Sequence, residues 1–187
     1  MYQEQQFNLQ EMKGLSKRQI DAHLGLYSGY VKNVNLLDEK LKQTSDGYTQ
    51  AELRRRWAFE WNGMRLHELY FEALGSTTSG GEEEVRKLLE QQFGSYENWE
   101  SDFKQAGMMR GIGWVILSLD KKSGKLSNIW VGDHELGHLA GTEVLIAMDV
   151  WEHAFLLDYL PSERKNYIEA YFSNLNWGTI SERILRV

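Results

Sequence analysis

Two long stretches with apolar residues at helical spacing lie near the start of the chain, and they restrict its fold more than any other feature. The first covers residues 20–41 and the second about 49–74. Ser16 and Gln19 form a capping-box pattern that opens the first helix, and the turn-forming residues 44–47 end it. Two long helices with so short a connection predict an antiparallel helical hairpin, preceded by an extended arm over residues 1–15.

The patterning changes from helical to mixed after a Gly- and Ser-rich linker at 75–81. Two apolar runs around a Gly-containing turn indicate a β-hairpin, followed by a third strand. The predicted fold is α+β: an N-terminal antiparallel helical hairpin, then an α/β unit with a small three-stranded antiparallel sheet. We assign two domains, residues 1–78 and 79–187. We predict helices in the second domain over about 82–93, 96–109, 149–159 and 162–174, and strands over 114–119, 125–131 and 142–147.

Composition excludes several classes of protein. The chain has no cysteine, which excludes disulfides, thiolate catalysis and cysteine-ligated metals. Its net charge is −6 and it has no basic run, so we expect no nucleic-acid partner. No apolar stretch approaches the roughly 18 residues of a membrane span, and residues 1–10 lack the apolar core of a signal peptide. We therefore expect a cytoplasmic protein with no membrane association.

The histidines are few, and their positions indicate a metal site. Only five occur, and His23 and His67 lie on the apolar faces of the two helices that pack together. One histidine on such a face is more often a hydrogen-bonded core residue, but two that face each other across a hairpin favour a metal pair. Asp149 and His153, four residues apart at a helix start, can face the same point. Three imidazoles and one carboxylate suit iron, manganese or zinc equally.

The segment Asp149–Ala154, with the sequence Asp-Val-Trp-Glu-His-Ala, resembles the signature of the iron/manganese superoxide dismutases. Further segments are similar to family segments and fall in the same order: 15–23, 30–35, 59–67, 93–95, 111–114 and 167–177. The resemblance implies one Fe or Mn ion per subunit, with a solvent molecule as fifth ligand and four protein ligands: His23, His67, Asp149 and His153.

The same resemblance implies roles for residues around the metal. Tyr30 resembles the gateway tyrosine beside the ligands, and Trp114 and Trp151 resemble the aromatic walls of the site. Glu152 resembles the glutamate that reaches across a dimer interface to a metal ligand of the other subunit, which implies a homodimer or homotetramer. Arg164 resembles the arginine near the substrate funnel.

The chain departs from the family pattern near the metal-bound solvent. The family supplies a Gln there, either before the second His ligand or from the loop after the β-hairpin. Here the first place holds Gly63, and the second falls near Asp133 and His134. We expect His134 to replace the Gln, donating to the solvent through one ring nitrogen and contacting Tyr30 through the other. Activity would then depend on pH near the titration of His134, whereas His138 is assigned to the loop.

The reaction that the resemblance implies converts two superoxide ions and two protons to O2 and H2O2. Two other interpretations remain. Another mononuclear non-haem iron enzyme, such as an oxygenase, is disfavoured because four protein ligands leave few open positions on the metal. A non-catalytic metal-binding or structural protein of the same fold is disfavoured because all four ligands are present. The sequence does not separate Fe from Mn.

Overall fold

The chain folds into the α+β arrangement expected from its sequence. The computed structural model describes residues 1–75 and 80–186, so the middle of the 75–81 linker and the domain boundary at 78 lie outside the described residues. The helices and strands are α1 (Lys17–Gln43), α2 (Gly47–Glu72), α3 (Glu82–Phe93), α4 (Tyr96–Gly107), β1 (Gly113–Asp120), β2 (Leu126–Gly132), β3 (Thr142–Asp149), α5 (Arg164–Ser173) and α6 (Trp177–Leu185). Short 3₁₀ turns at Glu152–Ala154 and Pro161–Glu163 separate β3 from α5.

The predicted helical hairpin is formed by α1 and α2, which pack against each other. The side chains of Ser16 and Asp46 cap the two helices, each accepting a hydrogen bond from the backbone N–H three residues on. Only half of the expected capping box forms, because the side chain of Gln19 turns away from the cap. Residues 1–11 form no helix or strand, as predicted for an arm, and Tyr2 is tied to Asn35 of α1 by two hydrogen bonds.

The sheet places one residue of the predicted metal site in the interior. Its strands are antiparallel in the order β2-β1-β3, so β1 is the central strand. Trp114 at the start of β1 pairs with Val131 of β2 and with Asp149 of β3. Because β1 is buried from Gly113 to Leu119, this register brings the last residue of β3 into the core beside Trp114.

Residues 149–159 are the main departure from the sequence prediction, which was wrong in making them helical. Strand β3 continues to Asp149, a 3₁₀ turn covers Glu152–Ala154, and further turns lead to Tyr159. The periodicity of this segment is compatible with a helix. However, the side chain of Gln19 from α1 bonds to the His153 carbonyl oxygen and to the Leu157 N–H, two groups that would bond to each other in an α-helix.

Contacts other than the linker also hold the two halves of the chain together. Leu74 and Leu175 form an isolated antiparallel bridge. Helix α6, which the sequence analysis did not predict, buries the side chain of Arg183, whose guanidinium donates to the carbonyl oxygens of Leu145 and Leu69. Arg183 also forms an ion pair with Glu72. In the part of the chain that the structure describes, no helix is both long and apolar enough to cross a membrane.

Candidate metal centre

Four side chains from four elements meet at one point inside the protein. His23 comes from α1, His67 from α2, Asp149 from the end of β3 and His153 from the 3₁₀ turn that follows. One potential ligand atom from each lies within 4.8 Å of the others. The side chains of His23, His67 and Asp149 are inaccessible to solvent, and that of His153 is 21% exposed.

The Oδ2 atom of Asp149 lies among the three imidazoles. It is 3.1 Å from Nε2 of His23, 3.1 Å from Nε2 of His153 and 3.6 Å from Nε2 of His67. The other carboxylate oxygen accepts a hydrogen bond from the backbone N–H of Trp151, at 2.8 Å. The Tyr167 hydroxyl donates to the Asp149 carbonyl oxygen at 2.7 Å. The carboxylate is therefore oriented from outside the cluster, with one oxygen left facing the imidazoles.

The hydrogen bond at the back of His67 prepares its ring for a metal. The Nδ1 atom lies 2.6 Å from the Gly63 carbonyl oxygen, which can only accept, so Nδ1 carries the proton. The buried Nε2 atom then presents a lone pair to the cluster and has no hydrogen-bond partner among the described residues. A buried nitrogen lone pair facing a carboxylate and two more imidazoles fits a cation at their centre.

Electrostatics favours the protonation states that bind a metal. Burial raises the pKa of Asp149, but the charge and hydrogen bonds of His153 and His23 outweigh burial and hold that pKa well below its usual range. Burial lowers the pKa of His67 and of His23, in each case against the attraction of Asp149. Burial thus favours neutral rings at His23 and His67 beside an ionised Asp149, the states that metal coordination requires.

His134 lies beside this cluster with both ring nitrogens engaged. The indole N–H of Trp114 can only donate, and it lies 2.9 Å from Nδ1 of His134, so Nδ1 accepts and Nε2 carries the proton. That Nε2 atom is 2.7 Å from the Tyr30 hydroxyl. The contact with Tyr30 is the one expected from the sequence. From the sequence, the other ring nitrogen was expected to donate to the metal-bound solvent. That nitrogen, Nδ1, instead accepts from Trp114, because β1 directs this indole toward the loop.

Burial lowers the pKa of His134 to about 4. The ring is therefore neutral at neutral pH, which replaces the expectation of a titration near the usual histidine range. The ring also stacks on Trp151 with centroids 5.1 Å apart, and Trp151 stacks in turn on His153 at 5.6 Å.

Gly63 makes room for Tyr30. A Cβ atom at position 63 would lie 2.6 Å from the Tyr30 ring, closer than side chains approach. The ring of Tyr30 thereby packs against His67, with centroids 5.0 Å apart. No Gln side chain fits at this position without moving Tyr30.

The remaining predicted residues are placed differently. Trp114 is fully buried and packs against His67 at 5.1 Å, while Trp151 is partly buried. The side chain of Glu152 is exposed and makes no hydrogen bond or ion pair within the described residues, whereas its carbonyl oxygen accepts from the N–H groups of Phe155 and Leu156. Arg164 donates from Nη1 to the Gly111 carbonyl oxygen, and its buried Nε and Nη2 atoms have no hydrogen-bond partner in the described ranges. Neither Glu152 nor Arg164 contacts the four clustered side chains.

Several residues at the site were not found from the sequence. Asn62 donates to the His134 carbonyl oxygen at 2.8 Å, and His138 binds the same oxygen at 3.0 Å, so the predicted loop histidine also holds the loop. Tyr167 supports Asp149, and Gln19 contacts the turn that carries His153. The position of Asn62, five residues before His67 on the same helix, could have indicated a residue close to the site. The residues around Gln19 in the sequence give no indication of a contact with residue 153.

Three imidazoles and one carboxylate on a helical hairpin and a small sheet define a mononuclear metal-centre protein. Residues 81–183 match the family model for the C-terminal domain of iron/manganese superoxide dismutases. The chain is 35% identical over 188 residues to an iron superoxide dismutase of Aquifex pyrophilus, covering 93% of this chain and 86% of that protein. It is 33% identical over 175 residues to a mitochondrial manganese superoxide dismutase of Glossina morsitans morsitans, covering 90% and 81%. The chain belongs to the iron/manganese superoxide dismutases.

Proposed function

We propose that this centre carries out superoxide dismutation with one Fe or Mn ion per subunit, held by His23, His67, Asp149 and His153. The observation that carries the proposal is the convergence of four ligand atoms within 4.8 Å in a buried site, one of them an unpartnered imidazole nitrogen. When bound, such an ion supplies a redox couple that oxidises one superoxide to O2 and reduces a second, which takes two protons to become H2O2.

The pair of Tyr30 and His134 is our candidate for delivering protons. Because Nε2–H of His134 donates to the Tyr30 oxygen, the hydroxyl hydrogen of Tyr30 is free to donate into the site. Burial raises the pKa of Tyr30, so the hydroxyl keeps its proton and acts as a donor rather than as an anion.

We assign Trp114 and Trp151 to the walls that exclude water. Trp114 fills the space behind His67 and fixes the tautomer of His134 through its indole N–H. Trp151 lies between His134 and His153, stacked on both. A dry wall strengthens the electrostatic interactions of a small anion with the site.

Arg164 is our candidate for attracting that anion. The protein carries a net charge of −6, so a superoxide ion needs a local positive group on its path. Arg164 offers two buried, unpartnered donor groups, although burial lowers its pKa from a very high starting value. The guanidinium remains charged at neutral pH because its unperturbed pKa is above about 12.

We further propose that two copies associate through the surface around Glu152. Glu152 is exposed, and the side chains of Leu156, Leu157 and Leu160, which follow it in the sequence, are exposed as well. An acidic group amid exposed leucines suits a symmetric contact in which it accepts a hydrogen bond from the His153 ring of the other copy. Sedimentation of the wild-type protein also shows whether two such dimers form a tetramer.

Association is tested by comparing wild type with Glu152→Ala in sedimentation velocity at micromolar concentration. The expected result is a dimer or tetramer for wild type, and weaker association with lower activity for the variant. A matched exposed acid, Glu83→Ala on α3, should change neither. A wild-type protein that is monomeric and fully active would contradict the proposed association.

The activity is tested on protein loaded separately with Fe and with Mn, following superoxide decay by stopped flow. Both metal content and turnover should be lost in Asp149→Ala, which removes the only anionic ligand. Metal bound at these residues without superoxide turnover would favour a different mononuclear iron enzyme. Full metal retention in Asp149→Ala would contradict the assignment of the four ligands.

The division into residues 1–78 and 79–187 also remains our proposal, and so does the cytoplasm as compartment. The division is supported by the change from two long helices before the linker to shorter helices and a sheet after it. The compartment is supported by the absence of cysteine, since the fold gains no disulfide from an oxidising environment.

A further inference from the structure

The side chain of Gln19 is buried on α1, one helical turn before His23, and it points out of its own helix. Its Nε2 atom donates to the His153 carbonyl oxygen at 2.6 Å. Its Oε1 atom accepts from the backbone N–H of Leu157 at 2.9 Å. One amide therefore reaches both ends of the segment that begins with a metal ligand.

These two backbone groups are the partners that an α-helix would join directly. In an α-helix the N–H of Leu157 would donate to the carbonyl oxygen of His153, four residues earlier. Here no backbone hydrogen bond joins them, and the side-chain amide lies between them instead. The side-chain amide thus replaces one helical hydrogen bond within the segment predicted as a helix, whereas the neighbouring N–H groups of Leu156 and Tyr159 bond to carbonyl oxygens four residues earlier.

The amide of Gln19 serves both groups at once. The carbonyl of His153 requires a donor and the N–H of Leu157 requires an acceptor, and Gln carries one of each at the end of a long stem. A Glu would set a carboxylate oxygen against the carbonyl oxygen, and an apolar side chain would leave both groups unsatisfied or allow them to bond to each other.

We propose that Gln19 is a positioning residue for the metal centre: by keeping the turn at 153–157 open, it sets the direction of His153 toward Asp149 and of Glu152 toward solvent. The inference rests on the proposed metal ligands. Its consequence is specific, because the same helix that supplies His23 also fixes the backbone of His153. The distance between these two ligands is then set within one rigid unit of helix and amide.

The test compares Gln19→Met and Gln19→Glu with wild type. Met is similar in length but neither donates nor accepts, and Glu keeps the acceptor for Leu157 while losing the donor for His153. Each protein is loaded with iron, its iron(III) electron paramagnetic resonance spectrum is recorded, and the rate of iron loss to excess EDTA is measured.

Two control variants separate positioning from general stability. Arg18→Met changes an exposed neighbour on the same helix, and Val85→Ala removes buried volume from α3, remote from the metal. Both should keep the wild-type spectrum and rate of iron loss, although Val85→Ala should melt at a lower temperature.

Both Gln19 variants should show a changed spectrum and lose iron about 10–100 times faster than wild type, the usual effect of removing a group that orients a ligand. If one variant fails to fold, the other decides the question. Spectra and loss rates equal to those of Val85→Ala would overturn the proposal. Wild-type protein that binds iron through the four ligands without superoxide turnover would refute only the proposed activity, because spectrum and iron loss do not depend on turnover.

Discussion

Close packing at single residues shapes this site as much as the ligands do. The clearest case is Gly63, where the absence of a side chain allows the Tyr30 ring to lie against His67. Protein interiors have no spare volume to accommodate an added methyl group without a shift. The identity of residue 63 therefore determines where Tyr30 can lie, and through Tyr30 it determines the partner of the Nε2 atom of His134.

Gly63→Ala should displace Tyr30 from His67 and weaken its hydrogen bond with His134. We expect a loss of about 1–3 kcal/mol of unfolding free energy from overpacking, together with reduced turnover. Gly25→Ala is the control, because Gly25 is helical with nothing within 4 Å of an added Cβ. That change should stabilise the protein by about 0.5–1 kcal/mol. Urea unfolding measures both, and an equally stable, fully active Gly63→Ala would contradict the packing argument.

The pKa of His134 predicts how stability changes with pH. Burial lowers this pKa to about 4, below the roughly 6.5 of an unfolded chain, so the unfolded state binds more protons between these values. The stability due to the neutral ring is complete above about pH 6.5 and is lost as the pH falls toward 4.

A His134→Gln variant isolates this effect, since an amide does not titrate. Between about pH 6.5 and 4 the wild type should lose roughly 3 kcal/mol more than the variant, from about 1.4 kcal/mol for each unit of pKa difference. Unfolding experiments at several pH values measure the difference. Equal losses in the two proteins would show that His134 titrates normally. Activity should show no change attributable to His134 near neutral pH.

At the scale of elements, helix α6 is anchored by one buried cation. The guanidinium of Arg183 bonds to the carbonyl oxygens of Leu145 in β3 and Leu69 in α2, and it pairs with Glu72. Burial lowers its pKa, opposed by Glu72, but the group stays charged because that pKa starts so high. The strand that ends in Asp149 and the helix that carries His67 are thereby tied together close to these two residues, since Leu145 lies four residues before Asp149 and Leu69 two residues after His67.

Arg183→Met should leave two carbonyl oxygens and a carboxylate without their donor. We expect a loss of about 2–4 kcal/mol in unfolding free energy, typical of removing one partner from a buried charged network. The exposed pair of Arg186 and Glu182 provides the control, and Arg186→Met should cost less than about 1 kcal/mol. Chemical denaturation measures both changes. A loss no greater than that of the control would show that Arg183 is not an anchor.

At the scale of the whole molecule, the metal centre joins the two halves of the chain. His23 and His67 come from the helical hairpin, and Asp149 and His153 follow the sheet. Without a cation, one ionised carboxylate faces three imidazoles in a buried space. A metal ion that binds only this folded arrangement stabilises it by mass action.

Removing the metal should therefore lower the melting temperature of the whole protein and not only loosen the site. Each tenfold excess of free metal over its dissociation constant adds about 1.4 kcal/mol to the folded state. Calorimetry of metal-loaded and metal-free protein measures the difference. Asp149→Ala should melt at the same temperature with and without added metal, and a metal-dependent melting temperature in that variant would contradict the assignment.

Local patterns determined much of this protein. The helical spacing of α1 and α2, the alternation and turn residues of the hairpin, and the family-like motif at Asp149–Ala154 were enough to predict an α+β fold and the four clustered side chains. These features depend on neighbours within a few turns or strands, so they can be read from the sequence directly.

Tertiary structure decided the features that depend on contacts between distant residues. Gln19 belongs to a capping pattern by sequence, yet its amide is used 134 residues away to open a turn that local periodicity would make helical. His134 could have been either tautomer until Trp114, on the central strand, occupied Nδ1. In both cases a buried polar group takes whichever partner the packing brings within hydrogen-bond distance, because leaving it unpaired costs more than breaking a local preference.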